Sequence, residues 1–183
     1  MTTFANRMWQ SAKLDADIYE EVEADRGALW QAMGVVLLSS LAAGIGSLPQ
    51  IGAGGLLVGA VTALTGWVVW AGLTYFIGTR LLPEPQTHAD LGELLRTLGF
   101  ASAPGMIRIA GIVPGLMGIV FLAAGIWMLV ATVIAVRQAL DYRSTWRALG
   151  VCLIGWLVQA LILFLVFSIA GVPTSPEYAP TSP

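Results

Sequence analysis

Residues 27–79 carry no charged side chain. A helix rises about 1.5 Å per residue and a hydrocarbon core of roughly 30 Å needs about 20 apolar residues, so a stretch of roughly 50 accommodates two membrane crossings and the turn between them. Ser47-Leu48-Pro49-Gln50 followed by Gly52-Ala53-Gly54-Gly55 supplies that turn. Two more charge-free stretches lie between Arg108 and Arg137 and between Arg147 and Glu177. Spans are therefore expected near 28–48, 56–78, 115–136 (after Pro114) and 148–172 (before Pro173). Only 11% of the 183 residues are charged and 57% are apolar, against roughly 25% charged in an average soluble domain. One soluble domain could not bury so much apolar surface. A net charge of −2 and a single Cys exclude a basic nucleic-acid binder and a disulfide scaffold. The chain reads as an all-α membrane protein whose first partner is the lipid bilayer.

Residues 97–113, TLGFASAPGMIRIAGIV, are harder to place. They span only about 25 Å as an α-helix and contain Pro104 and Arg108. They form either a third span or a re-entrant segment. The positive-inside rule decides between the two. With five spans and the N-terminus in the cytoplasm, Arg7, Lys13, Arg26, Arg80, Arg96, Arg137, Arg143 and Arg147 all fall inside and none falls outside. With four spans, Arg137, Arg143 and Arg147 move outside and the bias weakens. The expected architecture is thus five transmembrane helices, N-in and C-out, in the inner (plasma) membrane. Residues 1–27 form a cytoplasmic interfacial segment, 28–172 the five-span domain and 173–183 a flexible Pro-rich tail, PTSPEYAPTSP. No secretory signal precedes the first span, because residues 1–27 hold three basic and six acidic side chains and no apolar h-region.

In the N-terminal segment, Phe4, Met8, Trp9 and Ala12 share one helical face, and Leu14, Ile18 and Val22 another. This predicts two short amphipathic turns on the cytoplasmic interface, with Trp9 and Tyr19 at headgroup depth. Asp17 and Glu20 have capping-box spacing, and Asp25 is placed to cap the first span. The acidic run Glu20, Glu21, Glu23 and Asp25, beside Tyr19, reads first as a solvated helix face with caps and second as a contact for a cation or basic partner.

Spans associate through small residues, because lipid tails are as apolar as leucine. Gly52, Gly59 and Gly66 recur at seven-residue steps, Gly55 and Gly59 form a GxxxG, and Gly118 and Gly125 repeat the step later. These faces are expected to pack within the monomer first and in a homo-oligomer second. Chemistry is sparse. His88 has no metal-ligand spacing around it, Cys152 sits inside a span, and no catalytic motif or intramembrane carboxylate is present. No enzyme activity, metal or cofactor is expected. Arg108 is the one intramembrane charge. It either snorkels to the near interface or faces a polar cavity with Gln159, Ser102 and Thr62 as possible neighbours and an anionic lipid headgroup as contact.

Two segments carry a family resemblance. DIYEEVEADRGALWQA, residues 17–32, resembles the entry to the first span in prokaryotic members of the Yip1 family. LLRTLGFASAP, residues 94–104, resembles that family's third-span motif, a Gly-aromatic pair followed by Pro, here Gly99, Phe100 and Pro104. Phe100 stands where the family commonly has Tyr. The resemblance runs from about Asp17 to Val172 and implies a five-span protein without catalytic residues. Eukaryotic relatives act in vesicle trafficking and meet Rab-type GTPases through long cytosolic N-termini, which this chain's short N-terminus does not resemble. The first functional expectation is a non-enzymatic scaffold, assembly factor or accessory subunit of a membrane complex, with membrane-protein partners or a homo-oligomer. The alternative is a small transporter, channel or lipid-handling protein, acting as an oligomer with Arg108 in a polar cavity.

Overall fold

A computed structural model describes residues 3–52 and 54–169, and the regular elements among them are all helices. Two short helices, α1 (Phe4–Ala12) and α2 (Ala16–Ala24), lead into α3 (Ala28–Gly46). Thr3 caps α1 by accepting from the Asn6 N–H, and Leu14, at φ 66°, turns the chain sharply before α2. The expected break into two amphipathic pieces is present. Asp15, not Asp17, caps α2, accepting from the Asp17 N–H at 3.1 Å. The capping box lies instead at the start of the helix Leu91–Phe100, where Asp90 and Glu93 exchange side-chain-to-backbone hydrogen bonds of 2.8 and 2.7 Å. An Asp-x-x-Glu spacing caps only where the chain before it is extended, as it is at Asp90 (ψ 164°).

After α3 come a single turn, α4 (Leu48–Ile51), and Gly52, whose φ of 64° suits glycine alone at low cost. Then follow α5 (Gly54–Phe76), which runs into a π-helical turn (Ile77–Leu81), and α6 (Leu91–Phe100). A ten-residue 3-10 helix (Ala103–Ile112), α7 (Met117–Ala139) and α8 (Thr145–Ile169) complete the chain. Among the described residues, four helices are long and apolar enough to cross a membrane: Ala28–Gly46, Gly55–Leu81, Met117–Ala139 and Thr145–Ile162. They fall on the four charge-free spans within a few residues. The last residues of the expected fifth span and the tail lie outside the described residues.

The expected third span is not one continuous helix. Its α-helical part ends at Phe100, and the chain continues past Ala101 and Ser102 as the 3-10 helix. Pro104 supplies the physical reason, since it removes a backbone donor and clashes with the preceding turn. A 3-10 helix rises about 2.0 Å per residue, so its ten residues extend about 20 Å, farther than α-helix would carry them.

Close contacts set the direction of this segment. A Cβ on Gly99 would lie 2.6 Å from Ala32 Cβ, one on Gly105 would lie 2.1 Å from Ser39 Oγ, and one on Gly46 would lie 2.0 Å from the Arg108 carbonyl oxygen. The contact advances along α3 and along residues 99–108 together, so the two run parallel, and α7 returns antiparallel with Phe121 beside Gly46 and Gly111. One end of the bundle gathers the charges. There Arg96 donates to the Val22 and Glu23 carbonyls, Arg147 pairs with Glu84 at 3.3 Å, and Gln138 donates to Glu20. The core at this end includes Tyr19, Val22, Leu94, Phe100 and Val136, all fully buried.

Candidate functional site

The two faces of the 3-10 helix differ. Residues three apart eclipse each other in this geometry, and Ser102, Gly105, Arg108 and Gly111 form one such row. Gly105 and Gly111 let the row press against α3 and α7, while Ser102 and Arg108 open onto a cavity of about 720 Å³. The cavity runs between α3, α5, α7 and α8. Its polar lining comes from Ser39, Ser40, Thr62, Thr132 and Gln159, and its aromatic lining includes Trp67, Trp70 and Trp156. No carboxylate lines it. Thr62, Ser102 and Gln159, the three neighbours anticipated for Arg108, all belong to the same wall.

Arg108 is half-buried, and its side chain does not reach for the near end of the bundle. Its backbone is held against Gly46, beside the α3–α5 turn, but its Nη2 lies 3.0 Å from Met128 Sδ. That sulfur sits level with Gly105, further into the bundle. The guanidinium carbon is 5.7 Å from the centre of the Phe121 ring. A thioether is a weak acceptor, and a ring face offers only a quadrupole. Among the described residues, Arg108 Nε is buried without a hydrogen-bond partner. The guanidinium is thus turned toward Met128 and Phe121 inside the bundle, on the cavity side. The reason is steric, because close packing of the Arg108 backbone on Gly46 leaves the cavity as the open side.

The remaining candidates separate by location. Gly99 and Phe100 are buried packing residues, the first against Ala32 and the second in the core at the charged end. Pro104 is buried on the other face of the 3-10 helix, facing α1 and lining a second, apolar pocket. Gly55, Gly59 and Gly66 line the cavity, and a Cβ at Gly52, Gly59, Gly66, Gly118 or Gly125 would meet nothing within 4 Å. Among the described residues, these last five glycines therefore have no close partner within the monomer. A seven-residue repeat reveals a face without side chains but cannot say what lies opposite. The glycines in tight contact are Gly44, Gly46, Gly78, Gly99, Gly105 and Gly111.

The acidic N-terminal residues divide further. Tyr19 is fully buried inside the protein, donates its hydroxyl to the Ser11 carbonyl at 3.1 Å, and burial raises its pKa. Trp9 is 61% exposed, as an interfacial residue would be. Glu21 and Asp25 bind the buried Arg7 at 2.9 and 2.8 Å. Asp25 Oδ1 also accepts from the Gly27 N–H at the entry to α3, and its hydrogen bond from Arg7 holds its carboxyl below the usual range. Glu23 is half-buried, and burial together with Asp141, Glu93 and Glu20 pushes its pKa up to about 7. His88 is exposed and Cys152 is buried in α8.

The signal that could have revealed the site was the three-residue step Ser102, Gly105, Arg108, Gly111. A search for α-helical periods of 3.6 passes over it. Chemically the cavity offers one cation, several hydroxyls and an amide, with apolar and aromatic walls. That combination suits an anion joined to an apolar body.

No curated protein and no solved structure matches the chain. Its sequence does match the Yip1 domain over residues 16–167, which includes the third segment, the cavity and the acidic entry to α3. Members of that family are generally non-enzymatic membrane proteins. The chain is a multi-pass helical membrane protein belonging to the Yip1-domain family.

Proposed function

We propose that the protein binds an anionic amphiphile from the bilayer in the cavity beside Arg108, and is a lipid-handling protein. The observation that carries this reading is the Arg108 guanidinium, turned into the cavity with Nε buried and unpartnered. An unpaired charge at membrane depth is expensive. An anionic headgroup would satisfy it through charge-assisted hydrogen bonds, with the hydroxyls of Ser39 and Ser102 as further donors and the tryptophans against the tail.

The same reading takes the third segment as a fifth crossing, N-in and C-out, in the plasma membrane. It is supported by the parallel run of residues 99–108 along α3, where Ala32 to Gly46 covers about 21 Å at 1.5 Å per residue. It is supported also by the gathering of Arg7, Arg96, Arg137, Arg143 and Arg147 at one end, as the positive-inside rule requires of cytoplasmic loops. Reporter fusions at Gln86, Gly111 and Pro183 test it: a cytoplasmic signal at Pro183 rejects five crossings.

For the cavity, the purified protein in mild detergent is assayed by mass spectrometry of retained lipid. Retention of an anionic amphiphile by the parent, about tenfold less in Arg108→Leu and Arg108→Gln and partial recovery in Arg108→Lys, is expected for a charge-assisted contact of 1.5–3 kcal/mol. Equal retention in all four proteins rejects the site.

A separate observation favours a scaffold role. On α7, Gly118 and Gly125 have nothing opposite them, and Ile119, Leu122 and Ile126 beside them are exposed. Such a face lets another helix approach closely. Stoichiometric foreign subunits in a mild-detergent pull-down would place the scaffold first, whereas a clean homo-oligomer with lipid-handling activity in liposomes keeps the cavity reading first.

A further inference from the structure

The 3-10 helix has a second concave face, independent of the Arg108 cavity. Pro104, Met106 and Ile107 turn toward α1, and with Met8 and Trp9 of α1 and Trp127 of α7 they enclose an apolar pocket of about 390 Å³. The pocket has a roof: the Trp127 Nε1–H donates to the Ala12 carbonyl at 2.8 Å, tying the end of α1 to α7 above it. Trp9, which lines it, is 61% exposed, and Ile107 and Trp127 are about two-fifths exposed, so it opens to the surroundings of the bundle. At its rim the Lys13 ammonium lies 5.2 Å from the centre of the Trp9 ring.

The charges around it are lopsided. Residues 3–13 contain Arg7 and Lys13 and no Asp or Glu, whereas residues 15–25 contain six acids and no base. Arg7 is neutralised by Glu21 and Asp25, while Lys13 is exposed and forms no ion pair among the described residues. A slot lined only by hydrocarbon, thioether and indole, with one exposed cation at its mouth, is complementary to a molecule with an apolar tail and an anionic head. A polar peptide would leave its backbone unsatisfied in such a slot.

We propose that this pocket holds an acyl chain of a bilayer phospholipid whose anionic headgroup rests on Lys13, so that α1 is fastened to the third segment through a lipid. Removing Arg108 leaves this site intact.

The test uses the full chain reconstituted in phosphatidylcholine vesicles containing a trace of phosphatidylglycerol with a diazirine on its acyl chain, or phosphatidylcholine labelled in the same way. After illumination, peptides are mapped by mass spectrometry. With labelled phosphatidylglycerol, modification should concentrate on residues 8–12 and 103–107 over Ile119 and Leu122, although these two are more exposed. An electrostatic contact of about 1 kcal/mol per lysine corresponds to roughly fivefold preference over phosphatidylcholine. Lys13→Glu, a change at an exposed position, should abolish that preference, and Ala12→Phe should fill the pocket and clear the label from it. Arg108→Leu should leave the labelling unchanged. Labelling at Ile119 and Leu122 equal to that at the pocket, or equal labelling by both lipids, overturns the proposal. So does labelling that survives both Lys13→Glu and Ala12→Phe.

Discussion

Three arginines withdrawn from solvent show how the two ends of the bundle differ. Arg7, 6% exposed, binds Glu21, Asp25 and Gln31. Arg96, 5% exposed, binds the last carbonyls of α2. Both lie at the charged end, and both hold the N-terminal helices to the bundle. Arg108, at the other end, has a sulfur, a ring face and an unpartnered Nε. A buried guanidinium with its donors engaged is structural; one with donors to spare is equipped to bind. Their sequence surroundings distinguish them only in part. Arg7 and Arg96 come from segments rich in charge, but their partners lie 14 to 74 residues away.

The comparison breaks most sharply at Arg96. Arg96→Leu removes charged hydrogen bonds to the Val22 and Glu23 carbonyls and leaves those acceptors at the end of α2. With charged hydrogen bonds contributing about 1.5–3 kcal/mol, a loss of about 3 kcal/mol is expected. Thermal unfolding in detergent, or protease cleavage near residues 24–27, reads it. Next comes Gly46→Val against Gly59→Val. The first drives a side chain into the Arg108 backbone and is expected to cost at least the 1–3 kcal/mol typical of overpacking. The second meets open space and should leave the unfolding temperature unchanged. Equal effects of the two would overturn the contact assignment.

A smaller effect depends on pH. Burial and the carboxylates of Asp141, Glu93 and Glu20 raise Glu23 to about 7 from the ordinary 4.5. A raised folded-state pKa means that the stabilisation is fully present below about pH 4.5 and is lost as pH rises through 7. Docking of α2 should therefore tighten on acidification across that window, and Glu23→Gln should flatten the response. Hydrogen exchange of residues 16–24 at a series of pH values measures it; an unchanged slope in Glu23→Gln shows that Glu23 is not the titrating group.

The smallest stability effect is expected at Arg108. Replacing an incompletely paired buried charge by an apolar side chain is often neutral or stabilising. Arg108→Leu should unfold within about 1 kcal/mol of the parent while losing the retained lipid. A large destabilisation would move Arg108 into the same class as Arg7 and Arg96.

Much of the architecture follows from local pattern. The four long helices appear where charge is missing over enough residues to span a bilayer, and the step between Ala12 and Leu14 separates α1 from α2 as the shift of apolar face requires. The third segment was harder, because Pro104 ends its α-helical part and the 3-10 geometry changes both its length and which residues share a face. Gly59, Gly66, Gly118 and Gly125 form conspicuous repeats yet touch nothing, while Gly46, which belongs to no repeat, carries the closest approach. Tyr19 is fully buried with its hydroxyl on the Ser11 carbonyl of α1, a contact between two helices that residue type alone does not reveal.

Hydropathy and charge are summed along the chain, so the sequence alone determined the membrane class and the approximate limits of the long helices. The tertiary structure decided which arginine is satisfied, which glycines pack and where the two pockets lie. Those depend on contacts between residues far apart in sequence, and above all on the direction of one side chain. Arg108 turns inward because its backbone is pinned to Gly46 and the cavity is the side left open.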